Sequence, residues 1–448
     1  MLLRFRCKNF RSIREEQELS LIATKTRSDE RNEVLLATPL KDVQALRCAA
    51  IYGANASGKS NVLRAMRVFS RMVSNSQNQW NPTGPIPTWN PFVLDEVSSK
   101  GETEFQIDFV IDERVYNYGF RFNATAFLEE WLTDITGKAR KLFRRKTEGS
   151  TVSVMFPGRN LTATEEDTKH LELIRLQTRP NSLFLSAAAQ GNHSLLSGIF
   201  KWIVERFHQI SPHAPSYPRL YTAEACSKSE IKRRVLTVLK FADFGIVDFS
   251  VAETEAPFES ALHVFARAMN VKVDLPNLLH DIKMTHRGAE GKLYPLEFDE
   301  ESDGTRAYFS MLGPILDVLE KGTVVLIDEL ESSLHPHLAK QIVRIFNDPA
   351  LNPKGAQLIF ATHDTNLLDL ELLRRDQIWF TEKNEHGATV LIPLSDFKPR
   401  KDQNIASAYL HGRFGAIPFL DESLLRSAVE PAADKATEPV PQAETREP

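Results

Sequence analysis

The spacing of apolar and polar residues changes several times along the chain, and each change marks an element. Leu3, Phe5 and Cys7 alternate with Arg4, Arg6 and Lys8, the period-two pattern of a strand with one buried face. Cys48-Ala49-Ala50-Ile51-Tyr52 is apolar throughout, as expected of a strand covered on both faces of a mostly parallel sheet. After residue 60 the spacing becomes helical, with Val62, Met66, Phe69 and Val73 on one face. Pro82, Pro85, Pro87 and Pro91 then break regular structure between Trp80 and Pro91. Next, Phe105, Ile107, Phe109 and Ile111 alternate, Asp112-Glu113-Arg114 turns, and Tyr116, Tyr118, Phe120 and Phe122 alternate again. That is a hairpin, and shorter runs near Trp131 and over 152–156 extend it as an antiparallel sheet.

From about Glu165 to Phe241 the period is helical again. Leu196, Ile199, Phe200, Ile203 and Phe207 define one face, and Ile231, Val235, Leu236 and Leu239 another. No heptad pattern lasts for the repeats that a coiled coil needs, and no internal repeat is evident. Strand–helix alternation returns near Leu293, with strands expected at 324–327, 357–362, 377–380 and 390–394. The last twenty or so residues, rich in Pro, Ala and Glu, read as a disordered tail.

The chemistry begins where the buried strand ends. Gly53-Ala54-Asn55-Ala56-Ser57-Gly58-Lys59-Ser60 fits G-x-x-x-x-G-K-[ST] at every fixed position. Glycines at 53 and 58 allow a tight turn whose amides point at a polyphosphate; Asn55, Ser57 and Asn61 complete the loop and the helix start. Lys59 supplies a point charge to the phosphates, and the Ser60 hydroxyl a ligand to Mg²⁺. The strand expected at 324–327 delivers Asp328 and Glu329 to its C-terminal end, where ligands of open α/β sheets bind. Asp328 is placed to hold Mg²⁺ and Glu329 to polarise the attacking water. His363, closing the next apolar strand, can reach a γ-phosphate. Glu301-Ser302-Asp303-Gly304-Thr305 precedes a helix, where Ser302 and Gly304 form either a second anion site or an ordinary N-cap.

Composition narrows the field. The chain has 448 residues, 42% hydrophobic and 25% charged, with a formal net charge of -4, which argues against coating nucleic acid by bulk charge. Cys7, Cys48 and Cys226 are scattered, which suits a reducing cytoplasm and offers no disulfide framework or zinc site. No apolar run approaches a membrane span, and the N-terminus lacks a secretory apolar region. Lys138-Ala139-Arg140-Lys141-Leu142-Phe143-Arg144-Arg145-Lys146 is the densest basic run. It reads as a solvated hairpin tip, with contact to DNA or an acidic partner as the alternative. Lys232-Arg233-Arg234 reads as a solvated helix face.

In this order the motifs resemble the ABC-type ATPase head shared by the SMC and RecF proteins. Residues 53–60 correspond to Walker A, 324–329 to Walker B, 301–305 to the signature, Glu331-Ser332-Ser333-Leu334-His335-Pro336 to the D-loop and His363 to the switch histidine. Asn9-Phe10-Arg11-Ser12-Ile13 is similar to the opening of those heads, and that resemblance adds Arg11 to the nucleotide-binding set. Phe241-Ala242-Asp243-Phe244-Gly245-Ile246, Asp376-Gln377-Ile378-Trp379-Phe380 and Gly412-Arg413-Phe414-Gly415-Ala416-Ile417-Pro418 look like ATPases of bacterial abortive-infection and anti-phage operons, of the AbiL/RloA and PARIS AriA type. Glu301, Asp303 and Thr305 depart from the usual Leu-Ser-Gly-Gly-Gln signature. Gln106 is the one glutamine considered for the Q-loop, and it falls within the hairpin.

The resemblance implies an α/β P-loop NTPase head with a mixed sheet, an antiparallel β subdomain and a helical insertion. The expected division is 1–75 (head, Walker A), 76–160 (antiparallel β lobe), 161–290 (helical insertion), 291–425 (head, signature to switch histidine) and 426–448 (tail). It further implies ATP and Mg²⁺ as cofactors and slow hydrolysis between two heads in a homodimer or larger homo-oligomer. A separate effector protein from the same operon, DNA as a possible ligand and a cytoplasmic setting complete the expectation. A RecF-like DNA-repair ATPase is the alternative. An OLD-like nuclease is disfavoured, because roughly 85 residues follow His363 and carry no Asp-x-Asp cluster.

Overall fold

Each all-apolar strand lies mid-molecule because its two faces serve different cores. Cys48, Ala50 and Tyr52 face one core and Ala49 and Ile51 the other; Val325 and Ile327 divide from Val324 and Leu326 in the same way. The computed structural model describes residues 1–24, 34–158, 161–210, 216–242, 244–255, 278–400, 403–417 and 425. The expected tail at 426–448 and part of the expected insertion therefore lie outside the described residues, as do Asp243 and Pro418 of the quoted motifs.

In chain order, β1 (Leu2–Lys8) and β2 (Gln17–Ser20) are followed by the small pair β3 (Leu35–Ala37) and β4 (Gln44–Leu46), then by β5 (Cys48–Gly53) and α1 (Lys59–Asn75). After α2 (Glu96–Lys100) come β6 (Thr103–Ile111), β7 (Arg114–Phe122), β8 (Phe127–Asp134), β9 (Arg140–Glu148) and β10 (Thr151–Met155). Helices α3 (Glu165–Gln177), α4 (Phe184–Gln190) and α5 (Ser194–Arg206) lead to β11 (Phe207–Ile210). Then follow α6 (Ser216–Ala225), α7 (Ser229–Phe241), β12 (Ile246–Glu255), β13 (Leu278–Arg287) and β14 (Leu293–Glu297). The remainder is α8 (Asp303–Lys321), β15 (Val324–Ile327), α9 (Pro336–Asn347), β16 (Gln357–Ala361), β17 (Ile378–Lys383), β18 (Thr389–Pro393) and α10 (Ile405–Leu410).

The central sheet has the order β11-β15-β16-β5-β17-β18, parallel throughout except for β18. A second, antiparallel sheet runs β10-β9-β8-β7-β6-β1-β2. Helix α1 lies between the two, with Val62, Met66, Phe69 and Val73 buried as the spacing predicts. Phe69 meets Phe5, Phe105, Tyr118 and Phe120 of the antiparallel sheet. The same core takes in Ala49, Ile51 and Ile359 of the central one, so the helix carrying the phosphate loop is wedged against both sheets. On the other face of the central sheet, α8 and α9 bury Phe309, Ile315, Ile342 and Phe346. Among the described residues no helix is long and apolar enough to cross a membrane.

Three stretches differ from the expectation. The antiparallel sheet does not stop at residue 76: β1 and β2 complete it, because the alternating face of Leu3, Phe5 and Cys7 has β6 to pair with. Residues 161–290 are not helical throughout. Phe207 continues the helical spacing of Ile203, yet the helix ends at Arg206 and Phe207 opens β11, which pairs with Val324 at the edge of the central sheet. Farther on, β12, β13 and β14 make an antiparallel sheet of their own.

The basic run at 138–146 is a solvated hairpin tip only in part, with Lys138 and Ala139 in the exposed turn between β8 and β9. It forms most of β9, paired on both sides, with the Arg145 side chain fully buried. Arg145 donates to the carbonyls of Phe127 (2.6 Å), Arg179 (3.1 Å) and Pro180 (3.1 Å). Buried Glu130 supplies the compensating charge and accepts from Tyr118 Oη and from the amides of Phe184 and Leu185. Arg144 pairs with Glu129. Arg144 and Arg145 are thus spent on the fold, while Lys138, Arg140, Lys141 and Lys146 stay exposed. By contrast, Lys232, Arg233 and Arg234 pair with Asp248, Glu230 and Glu320 on the surface, as a solvated face does.

Candidate functional site

The phosphate loop joins buried β5 to α1, and its backbone takes positive φ three times, at Gly53, Ala56 and Gly58. Gly58 has φ 114°, and a Cβ there would lie 2.1 Å from Thr389 Oγ1. Gly53 is equally confined: a Cβ would lie 2.4 Å from the Thr381 carbonyl oxygen. The loop is therefore pressed onto β17 and β18. Ser57 is turned into that brace, its hydroxyl 2.7 Å from Thr381 Oγ1, which itself donates to the Tyr52 carbonyl. Its side chain thus serves the loop's shape, and only its backbone is left to face a phosphate. Asn55 and Ala56 are exposed beside it.

Lys59 opens α1 and is buried, with Nζ on the carbonyls of Gly53 (2.8 Å) and Ala54 (3.1 Å). Burial lowers its pKa to about 8, against the opposing pull of Asp328, Glu331 and Glu329. A buried ammonium held mainly by its own loop's carbonyls is an incomplete arrangement that a phosphate oxygen completes. Next to it, Ser60 Oγ donates to Asp328 Oδ1 at 3.0 Å, uniting phosphate loop and acidic strand end across 268 residues. A hydroxyl and a carboxylate at that separation are hard oxygen donors of the kind that hold Mg²⁺ beside a polyphosphate.

Beyond Asp328 the chain turns through Glu329, whose φ of 54° is left-handed, so that the Leu330 amide reaches the Ala361 carbonyl. The same turn brings Glu331 Oε1 to the amide of His363 at 2.5 Å. His363 is exposed, and its pKa is lowered, first by partial desolvation and then by the charge of Lys59. It is thus neutral near pH 7 and able to donate or accept.

Arg11 and Asn61 occupy a brace rather than the loop's mouth. Arg11 Nη1 donates to Asn61 Oδ1 (3.3 Å), Asn61 Nδ2 to Ser12 Oγ (2.7 Å), and Thr389 Oγ1 also donates to Ser12 Oγ (2.8 Å). The Asn-Phe-Arg-Ser segment thereby ties β18 to the first turn of α1. Gln106 sits in mid-strand on β6, paired with Arg6 and Gly119. The segment at 301–305 stands apart. Ser302 caps α8, its Oγ accepting from the Thr305 amide at 3.1 Å, and a Cβ on Gly304 would meet the Ser333 carbonyl at 2.9 Å. Among the described residues none of its hydrogen bonds reaches the phosphate loop of the same chain.

Sequence reasoning did not single out Thr381, Thr389 or Tyr409, and it gave Glu331 only as the first residue of the D-loop. Tyr409 on α10 packs its ring against Tyr52, the residue before the phosphate loop, and donates its hydroxyl to the Ala416 carbonyl. This ties the quoted Gly-Arg-Phe-Gly-Ala-Ile run to the back of the phosphate loop. Ser12 lay within a quoted motif and could have been found that way; the threonines have no local signal.

A phosphate loop on a buried strand, an acidic pair two strands along and a histidine on the strand between them define a P-loop nucleotide-binding domain. The chain belongs to the family described as "AAA domain, putative AbiEii toxin, Type IV TA system", whose model matches residues 48–369. Among solved structures it is similar to an SMC head domain from Thermotoga maritima, with 13% identity, 88% of this chain and 98% of that chain covered, and a TM-score of 0.38. An SMC head bound to the C-winged helix domain of ScpA follows, with 12% identity, 87% and 96% covered, and a TM-score of 0.37. CbiO1 from Clostridium perfringens, part of the ABC transporter complex CbiONQ, gives 11% identity, 86% and 95% covered, and a TM-score of 0.27. No curated protein matches the chain.

The lowered pKa of Lys59 sets an expected pH dependence. An anion beside the ammonium raises its pKa above the free value of about 8, so binding takes up a proton in the interval between the two. ATP affinity should be flat below pH 8 and fall as pH rises through 8 and beyond, approaching tenfold per pH unit. Calorimetry at pH 7 and pH 9 in buffers of different ionisation enthalpy checks this. Proton uptake should be near zero at the first and substantial at the second, and a Lys59→Arg chain should show none at either.

Proposed function

We propose that the protein binds MgATP at residues 53–61, 328–329 and 363 and hydrolyses it slowly between two copies of the chain. Gly53, Gly58 and the backbone of Asn55 and Ser57 cradle the phosphates, while Lys59 neutralises the β and γ groups. Ser60 and Asp328 hold the cation, Glu329 polarises the water, and His363 fixes the γ-phosphate. Arg11 and Asn61 keep the first turn of α1 in place. The observation that carries the reading is the Ser60–Asp328 hydrogen bond of 3.0 Å beside the buried Lys59 ammonium. Among the described residues Ser302 bonds only within its own helix start, Gly304 packs on Ser333 of its own D-loop, and neither bonds the phosphate loop of its own chain, which supports their serving the phosphates of a second copy. ATP then acts as a timer on assembly: a γ-phosphate offers strong acceptors to both surfaces, and hydrolysis withdraws them.

The family's description favours a toxin or abortive-infection role, in which this cytoplasmic ATPase senses or scaffolds and a separate effector kills or arrests the cell. Two measurements test the proposal. Purified chain should release phosphate from ATP only with Mg²⁺, and its mass by light scattering should rise with MgATP and fall back as ATP is spent. Cells carrying the chain with its gene neighbours should resist phage, and a Lys59→Ala chain should not protect them. Phosphate release without any change of mass would refute the shared pocket.

A further inference from the structure

Resting on that shared-pocket reading, we infer that an arginine stripe on α1 recognises the acidic signature segment of a second copy. Arg64, Arg67 and Arg71 follow Ser60 at helical spacing, so they continue along the face on which Ser60 meets Asp328. At 1.5 Å per residue, Arg64 stands about 7 Å and Arg67 about 12 Å beyond Lys59 along the axis. All three are exposed, and none makes an ion pair with a described residue. Arg67 has its pKa lowered by desolvation and then by Arg71 and Arg64, the mark of like charges held together without an acid between them. Arg67 and Arg71 also border a cleft of about 480 Å³ with Ser70, Ser74 and Gln209.

The complementary feature is the departure from Leu-Ser-Gly-Gly-Gln. Asp299, Glu300, Glu301 and Asp303 surround Ser302, and Asp299 and Asp303 keep 78% and 79% of their side-chain surface exposed despite pairing with Arg306. Glu301 is held inward by His286. Bringing these carboxylates up to a triphosphate is repulsive unless cations meet them, and the pocket's own cation, Lys59, is already committed to the phosphates. The stripe begins one helical turn away and is otherwise unneutralised. Charge complementarity of this kind fixes register and excludes wrong partners. An uncharged signature from another ATPase would leave the arginines unmatched, so the pairing selects a second copy of this same chain.

The test uses full-length chain, Mg²⁺ and a non-hydrolysable ATP analogue, with mass by sedimentation and nucleotide affinity by fluorescence. Arg64→Glu with Arg67→Glu should bind the analogue as the unchanged chain does but need at least about tenfold more protein to assemble. Glu300→Arg with Asp303→Arg should show the same defect, and mixing the two variants should restore assembly. Unimpaired assembly of both variants would overturn the inference while leaving the shared pocket standing. Failure of the unchanged chain to assemble would remove the shared pocket, and the inference with it. Loss of duplex-DNA binding by the arginine variant, with no rescue on mixing, would make the stripe a polyanion site and also overturn it.

Discussion

A Lys59→Ala chain should lose ATP almost completely while folding as well as the unchanged protein. Its ammonium is buried, has its pKa lowered to about 8, and is satisfied mainly by the carbonyls of Gly53 and Ala54. In the free protein that burial is a cost, so removing the charge relieves the fold of an unfavourable group. With nucleotide bound, the same charge faces phosphate oxygens in a desolvated pocket. Truncating one partner of such a pair costs about 2–5 kcal/mol, or about 30-fold to several-thousand-fold in affinity. The two effects separate in one experiment. Thermal unfolding without nucleotide should give an unchanged or slightly higher midpoint, and the rise that saturating MgATP gives the unchanged chain should vanish. A midpoint that still climbs with MgATP would place the nucleotide elsewhere.

Prediction of that kind is open to a reader of the sequence because the residues involved are local. The phosphate loop is one continuous stretch, and the acidic pair follows one apolar strand. The strands themselves were legible too, since their unbroken apolar runs have no other means of satisfying two cores at once. What could not be read were bonds between distant segments. Thr381 reaches Ser57 across 324 residues and Thr389 reaches Ser12 across 377, and a threonine in a strand gives no local sign that its hydroxyl shapes a loop. The basic run at 138–146 misled at Arg144 and Arg145 for a related reason, its other four cations being exposed as a solvated tip requires. Six cations in nine residues suggest solvent, but Arg145 is compensated by Glu130 and by carbonyls at 127, 179 and 180, none of them its sequence neighbours. Phe207 misled because one residue fits both a helical face and the start of a strand, and only the open edge of β15 decides between them. The hairpin at 111–114 was legible in its strands but not in its turn. Asp112 and Glu113 both take positive φ, 45° and 63°, where Asn and Gly are the usual signals.

The other large effect is expected at Glu329, and it has the opposite signature: turnover lost, binding kept. Glu329→Gln preserves shape and removes only the charge proposed to polarise water, so hydrolysis should fall by about 10²- to 10⁴-fold. MgATP affinity should stay within a few fold, because the proposed site holds the phosphates by Lys59 and the cation by Ser60 and Asp328. The assembled state should then persist after ATP addition instead of decaying. Glutamine is the informative replacement because residue 329 sits at φ 54°, where a glycine would relax the backbone and confound chemistry with conformation. Glu331 is the rival base, two residues away and also sensed by Lys59. One of its oxygens, however, already accepts the His363 amide at 2.5 Å, which commits it to positioning the histidine. Glu331→Gln should therefore slow turnover less, and mainly by loosening His363. If single-turnover hydrolysis survives in Glu329→Gln and vanishes in Glu331→Gln, the roles are reversed and the turn at 329 serves only to carry the chain to 331.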